Sequence, residues 1–389
     1  MEYLNAPIAV ATEIPPLCVP GYIPEANRYE LPSYNDGQSN ELLDYQISQL
    51  KAQGFTTGLA KSLSQTKDLF PLRIWVVDNS GSMQKDDGHR IVETLNRNDV
   101  KIVPCTRWTE IQECVTYHVQ MSSLLNASTS FRLLNHPGSH AGLQMFGVAD
   151  KGEEYLKRDV DEACSIMTKV RPNGVTPLTR HILEVRQDLE VLAKDLNERG
   201  QRVALVLATD GLPTNQEGHG GKIEQDKFVD ALRSLESLPL WVVIRLCTDE
   251  KDVVEFYNNL DEQLELSIEV LDDFISEAEE VNKFNKWLNY ALPLHRMREM
   301  GFHDRVFDML DERPLSLEEL RQFCVFLFGV DNADGLPDPA VDWSAFLHQI
   351  EKLNNQEESQ WNPRTKRPTN WIDTHKLDKQ YGQGGCLIM

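Results

Sequence analysis

The sequence predicts an α/β protein built on a mainly parallel sheet with helices on both faces, followed by a C-terminal helical region. The first observation is that short apolar runs typical of buried strands alternate with helical stretches. These runs cover residues 72–77, 203–208, 240–246 and 267–271. The second is that two runs end in an aspartate, Asp78 and Asp210, at the strand ends where such sheets bind ligands. The third is that the pattern beyond residue 275 is wholly helical.

Spacing predicts the remaining elements of the sheet region. Apolar residues at steps of three and four predict a helix that ends at Gly200, a residue type suited to a helix C-terminus. These apolar residues are Ile182, Val185, Leu189, Leu192 and Leu196. Residues 131–134 and 143–148 are predicted as additional strands, which we expect to form a hairpin at the edge of the sheet.

Composition shifts divide the chain into five parts. Residues 1–40 are rich in proline and are predicted to form a flexible arm, and residues 41–69 form a helical preface that packs on the main domain. The main α/β domain covers residues 70–275 and the helical region covers residues 276–352. Residues 353–389 are polar, and we expect a loosely ordered tail that ends in Cys386-Leu387-Ile388-Met389.

The overall charge excludes one class of partner. A formal net charge of -22 argues against bare nucleic acid, because phosphate contacts need clustered lysine and arginine. The acidity either attracts cations and basic protein surfaces or simply keeps the protein soluble. The 7 cysteines are scattered without a C-x-x-C pair, and the chain shows no secretory signal and no membrane-spanning run. We therefore expect a cytoplasmic protein.

Oxygen-bearing side chains stand at alternate positions directly after the first predicted strand. Asp78, Ser80 and Ser82 lie on a tight loop that Gly81 makes flexible. Hard divalent cations such as Mg²⁺ prefer oxygen ligands, so two hydroxyls can bind an ion while the carboxylate orients a water. This segment resembles the D-x-S-x-S motif of the metal-ion-dependent adhesion site (MIDAS) of von Willebrand factor A (vWA) domains.

Two further residues extend the resemblance over approximately residues 70 to 275. The family supplies a threonine from a second loop, matched by Thr176, and an aspartate after a later buried strand, matched by Asp210. The resemblance implies a Rossmann-like sheet with the ion on its upper edge, bound directly by hydroxyls and through water by the aspartates. It also implies that a glutamate or aspartate of a partner protein completes the metal shell.

The resemblance thus predicts a metal-dependent protein-interaction module, of the adhesion or adaptor kind. We expect Mg²⁺ in the site, with Mn²⁺ or Ca²⁺ as alternatives, and no enzymatic activity, since the chain has no P-loop, G-x-S-x-G or H-E-x-x-H motif. Three alternatives stay open. The residues could cap turns without a metal, the metal could serve stability only, or the ion could be the Lewis acid of a hydrolase or phosphotransferase.

The sequence departs from the family pattern after the first motif. Residues near 90–104 predict an inserted hairpin before a helix that begins near Thr109. The hairpin either gates or extends the binding face, or is a tolerated decoration.

The last four residues match a C-a-a-X prenylation motif. A terminal methionine is typical of farnesylation at the cysteine, here Cys386. One lipid gives only marginal membrane residence, so we expect reversible attachment to the cytoplasmic face of a membrane. A chance match, or a bacterial source, is the alternative.

Overall fold

A computed structural model describes residues 42–93, 100–260, 263–302, 304–330 and 335–382. The predicted arm at 1–40 and the lipidation candidate Cys386 lie outside these residues.

A six-stranded sheet forms the centre of the α/β region. Its strands are β1 Leu72–Val77, β4 Thr129–Leu133, β5 Met145–Val148, β6 Val203–Thr209, β7 Leu240–Leu246 and β8 Ile268–Leu271. The order is β5-β4-β1-β6-β7-β8, and every pair is parallel except β4 with β5. The predicted mainly parallel sheet is therefore confirmed. The segments predicted as an edge hairpin are the antiparallel edge pair β4 and β5.

Within the described residues, four further strands lie outside this sheet. β2 Gly88–Glu93 pairs antiparallel with β3 Val100–Cys105, and β9 Gln360–Asn362 pairs antiparallel with β10 Arg367–Thr369. The predicted inserted hairpin near 90–104 is thus present in the described residues on both sides of 94–99.

Thirteen helices are present in the described residues. They are α1 Asp44–Ala52, α2 Thr57–Leu69, α3 Arg107–Leu125, α4 Leu156–Lys169, α5 Leu178–Glu198, α6 Lys222–Arg233, α7 Lys251–Asn258, α8 Phe274–Phe284, α9 Leu292–Glu299, α10 Arg305–Asp308, α11 Leu317–Phe328, α12 Trp343–Asn354 and α13 Thr374–Tyr381. In the described part of the chain, no helix combines the length and the apolar character needed to cross a membrane.

Helices cover both faces of the sheet, as the continuous apolar runs predict. Every residue of β1, β6 and β7 is buried. On one face, Phe131 packs in a core with residues of α3 and α4, such as Ile111 and Ile166. Arg132, the next residue of β4, points to the other face and donates hydrogen bonds to Glu184 of α5. Alternate side chains of one strand therefore meet helices on opposite sides.

Helices from the two ends of the described chain share one core. The Thr56 hydroxyl at the start of α2 donates to the carbonyl of Leu327 in α11. A Cβ added at Gly58 would lie 2.2 Å from the carbonyl oxygen of Phe326, so only glycine allows the two backbones to come this close. The division at 41–69 and 276–352 stays a prediction, but the two helical parts pack as one layer.

The expectation of a loosely ordered tail is wrong for residues 355–382. Trp361, Trp371 and Ile372 are buried in the core of the helical layer. The Asn354 side-chain amide donates a hydrogen bond to the carbonyl of Ile372 and accepts one from its backbone N–H. Two tryptophans and an isoleucine supply enough apolar surface to anchor the segment. The surrounding asparagine, glutamine and glycine residues concealed this anchoring in the composition.

Candidate metal site

The site begins where two neighbouring parallel strands end together. Val77 of β1 pairs with Ala208 of β6, and the backbone N–H of Asp78 donates to the Ala208 carbonyl over 2.8 Å. Because β1 and β6 run in the same direction, Asp78 and Asp210 emerge side by side at one edge of the sheet. The sequence prediction that the two aspartates lie together at this edge agrees with the structure.

Asp78 is fully buried and both of its carboxylate oxygens are engaged. Oδ1 accepts from the backbone N–H of Ser80 and Oδ2 accepts from the Thr209 hydroxyl, each over 2.8 Å. Burial, and then the negative charge of Asp210, raise the pKa of Asp78 to about 6. The two aspartates therefore form a pair of like charges, and both side chains are buried.

The two serines link into this pair through their hydroxyls. The Oγ atoms of Ser80 and Ser82 are 3.0 Å apart, and the Ser82 hydroxyl donates to Oδ1 of Asp210 over 2.8 Å. A short 3₁₀ turn, Gly81–Gln84, follows Ser80 and fixes the loop. Four of the five predicted site residues are thus joined by hydrogen bonds.

Thr176 approaches from a second loop. Two backbone hydrogen bonds tie that loop to the first: Gly81 N–H donates to the Gly174 carbonyl over 3.1 Å, and Asn173 N–H donates to the Asn79 carbonyl over 2.8 Å. A Cβ added at Gly211 would lie 3.8 Å from the Thr176 hydroxyl oxygen. Thr176 is therefore beside the segment that carries Asp210, and all five predicted residues meet at one edge of the sheet.

Sequence reasoning missed one residue of the site, Arg107. Its guanidinium is buried and donates to Oδ2 of Asp210 over 3.0 Å. It also donates to Glu250 over 2.8 Å and to Asp87 over 2.6 Å. Arg107 is the first residue of α3, directly behind the inserted hairpin. The insertion is the only signal that could have pointed to it, since nothing in the local pattern pairs position 107 with position 210.

The hairpin lies between the metal-site loops and the helical layer. The backbone N–H of His89 donates to the Glu110 carboxylate over 2.9 Å, and Gly88 packs so closely on Thr106 that an added Cβ would lie 2.8 Å from its carbonyl oxygen. Ile91 and Ile102 pack against the core of the helical layer. In the described residues the hairpin therefore braces α3 and the helical layer at once.

The donor set fits a hard divalent cation. It offers two carboxylates and three hydroxyls and no sulfur or imidazole. One guanidinium contacts Asp210, but Arg107 is shared with two other carboxylates, and the pKa of Asp78 stays raised beside it. A further cation bound next to Asp78 would therefore lower the electrostatic cost of keeping its carboxylate ionised.

Comparisons with known proteins identify a structural similarity but no family to which the chain belongs. No protein-family model and no curated protein sequence matches the chain. Among solved structures, the chain is similar to the crystal structure of the SpRpn10 VWA domain, with 11% sequence identity and a TM-score of 0.31. The similarity covers 52% of this chain and 87% of that one. At this identity and TM-score it supports no function, ligand or partner, and the fold stands on the strand order alone.

Proposed function

We propose that the protein is a metal-dependent protein-interaction module of the vWA type. Asp78, Ser80, Ser82, Thr176 and Asp210 hold a divalent ion, most simply Mg²⁺, and the ion accepts a carboxylate from an acidic residue of a partner protein. The observation that carries the proposal is the convergence of these five oxygen-bearing side chains from three loops at one edge of the sheet.

The buried pair of like charges favours a metal over simple turn capping. Turn capping accounts for the hydrogen bond from Ser80 N–H to Asp78, but it gives no reason to bury Asp78 beside Asp210. Arg107 offsets the charge of Asp210 alone, and two adjacent buried carboxylates still repel each other unless a further cation or a proton lies between them. A divalent ion supplies that charge without displacing the hydrogen bonds that already hold Asp78.

We propose different roles for the two aspartates. Both oxygens of Asp78 are held by hydrogen bonds from Ser80 and Thr209, and in this proposal Asp78 acts on the ion through an ordered water. Asp210 receives Ser82 on one oxygen and Arg107 on the other, which fixes its orientation. The serine and threonine hydroxyls are then the direct ligands, and the ion keeps a position for the partner.

Calorimetric titration with Mg²⁺ tests the metal part of the proposal. We expect binding to the wild-type protein and none to the double variant Ser80→Ala/Ser82→Ala. Ser122→Ala removes a buried hydroxyl hydrogen-bonded to Thr129 away from the site and should bind as the wild type does. Absence of a signal from folded wild-type protein in the metal titration would overturn the metal site.

Capture of binding proteins in Mg²⁺ and in chelator tests the interaction part. Partners that are retained in Mg²⁺, released by chelator and absent with the double variant are expected. Metal-dependent turnover of ester or phosphoester substrates, lost in the double variant, would replace the interaction module with a hydrolase that uses the ion as a Lewis acid.

Attachment to a membrane through Cys386 is a separate part of the proposal. It rests on the terminal motif in the sequence alone. Intact mass of the protein from a eukaryotic host should show a farnesyl group and the loss of the last three residues. An unmodified Cys386-Leu387-Ile388-Met389 end would remove this part and leave the metal site untouched.

A further inference from the structure

A second set of metal-ligand side chains lies between α3 and α9, away from the sheet edge described above. α3 carries Cys114 and His118, and α9 carries His295 and Glu299. In each helix the two residues are four positions apart, so both lie on one face. The two faces meet, and the carboxylate of Glu299 is the point where all four side chains come together.

Sulfur, nitrogen and oxygen atoms that can bind a metal lie close to one another around Glu299. Cys114 Sγ lies 3.3 Å from Oε1 and His118 Nε2 lies 3.0 Å from Oε2. The ligand atoms of these three residues are all within 4.8 Å of one another. His295 Nε2 is 3.3 Å from Oε1, on the same oxygen as Cys114.

These distances match the edges of a tetrahedral zinc site. With Zn–S of about 2.3 Å and Zn–N or Zn–O of about 2.0 Å, ligand atoms are separated by about 3.3 Å for N···O and about 3.5 Å for S···O. The separation of 3.0 Å from His118 Nε2 to Oε2 and that of 3.3 Å from Cys114 Sγ to Oε1 are each within a few tenths of an ångström of those values, and they reach the two different oxygens of Glu299. Small side-chain shifts would admit the ion.

Burial and an adjacent cavity provide an independent argument. All four side chains are nearly inaccessible, at 3% exposure or less. His118 turns Nε2 toward the Glu299 carboxylate, and Nε2 of His295 faces Oε1 of the same carboxylate over 3.3 Å. A cavity of about 40 Å³ with Cys114, His295 and Glu299 in its lining lies beside the cluster.

We propose that Cys114, His118 and Glu299 form a zinc site that joins α3 to the C-terminal helical layer, with His295 beside the Glu299 carboxylate. The His118 imidazole binds as a neutral ligand, and the thiol binds as a thiolate after it releases its proton to solvent. Zn²⁺ is then neutralised by one thiolate and one carboxylate. The mixed sulfur and nitrogen donors select zinc over Mg²⁺, so this site differs in metal from the one at the sheet edge.

Two arginines border the cluster and stabilise its anions. Arg296 donates to Oε2 of Glu299 over 2.8 Å, and Arg245 donates to Oε1 over 3.2 Å and to Glu110 over 2.5 Å. Burial, and then Glu299, raise the pKa of the Cys114 thiol far above its usual range, so the thiol stays protonated until a metal binds. In the competing explanation, the arginines alone neutralise Glu299 and the cluster is only an ion-pair network.

Metal content of the intact chain decides between these explanations. The purified protein is incubated with ZnCl₂ in excess Mg²⁺, desalted, and analysed for zinc by mass spectrometry. We expect about one zinc per chain and near-complete loss in Cys114→Ser/His118→Ala. Cys324→Ser changes another buried cysteine in the helical core and should retain the zinc. Ser80→Ala/Ser82→Ala should also retain it.

Cobalt substitution adds a readout that does not depend on folding of the double variant. Co²⁺ in the site should give a thiolate charge-transfer band that Cys114→Ser alone abolishes while cobalt content and circular dichroism persist. Wild-type protein that retains no zinc, or zinc content equal in wild type and in the double variant, would overturn the site. Either result would leave the ion-pair network as the explanation.

Discussion

Replacing Arg107 by methionine should weaken the fold in chelator and make it more dependent on Mg²⁺. The substitution keeps an unbranched apolar side chain and removes the charged guanidinium. Asp210 then loses the partner on Oδ2 and is left beside Asp78 without a fixed cation. In Mg²⁺ the ion no longer competes with a neighbouring guanidinium and should bind more tightly than in the wild type.

The size of the effect follows from the exposure of the three partners of Arg107. The Asp210 side chain is 0% exposed, so breaking this pair costs about 3–5 kcal/mol, as for other buried ion pairs that lose one member. Asp87 and Glu250 are 53% and 48% exposed, and each of these pairs contributes about 0–1 kcal/mol. The loss in chelator should therefore be close to the buried-pair value.

Chemical unfolding with Mg²⁺ and with chelator measures both effects. At a Mg²⁺ concentration of about 100 times its Kd, the ion stabilises the wild type by about 2.7 kcal/mol, and Arg107→Met should gain more than that. Arg132→Met is the matched control, because Arg132 is also buried and paired with Glu184 and Asp188, away from the site. It should lose stability without any extra gain from Mg²⁺. An equal Mg²⁺ increment in all three proteins would refute the role assigned to Arg107.

Three further predictions address pH, packing and the tail. The pKa of Asp78 is raised to about 6 in the folded chain from 3.8, so without metal this residue's contribution to stability is present below about pH 4 and is lost as pH rises through about 6. Because Mg²⁺ needs the carboxylate, its affinity by calorimetry should fall about fourfold from about pH 7.5 to about pH 5.5, and Asp78→Asn should remove this dependence. Gly58→Ala should lower the free energy of unfolding by about 1–3 kcal/mol or more. Gly220→Ala is the control and should be close to neutral, because a Cβ added there has its nearest contact at 3.7 Å. Equal losses in the two variants would contradict the helix packing. Trp371→Ala should cost about 3–5 kcal/mol in denaturant unfolding, and a negligible loss would restore the loosely ordered tail.

The sheet could be predicted because its signals are local. A parallel strand that is buried on both faces requires a continuous apolar run. The runs that end at Val77 and Ala208 meet this requirement within about six consecutive residues each. The meeting of Asp78 and Asp210 follows as well, since adjacent parallel strands deliver their next residues to the same edge. The resemblance to the MIDAS pattern supplied Thr176, which no periodicity would have selected.

The rest depended on contacts between distant parts of the chain. Arg107 and Asp210 are 103 positions apart, and Thr56 meets Leu327 over 271 positions. Neither pairing leaves a trace in the spacing of nearby residues. The composition of the tail was misleading for the same reason. Its many polar residues predict loose order, whereas the segment is anchored by the burial of Trp361 and Trp371 in the helical core.

Helix α3 has a consequence for how the two halves of the molecule respond to force. Arg107, Glu110, Cys114 and His118 follow one stripe of the helix. Arg107 contacts Asp210, Glu110 contacts Arg245, and Cys114 and His118 both contact Glu299. At about 1.5 Å per residue, the stripe spans about 16 Å of a stiff rod. A pull on Arg107 along that rod displaces His118 by nearly the same distance. Tension applied at the sheet edge would therefore be felt at Glu299.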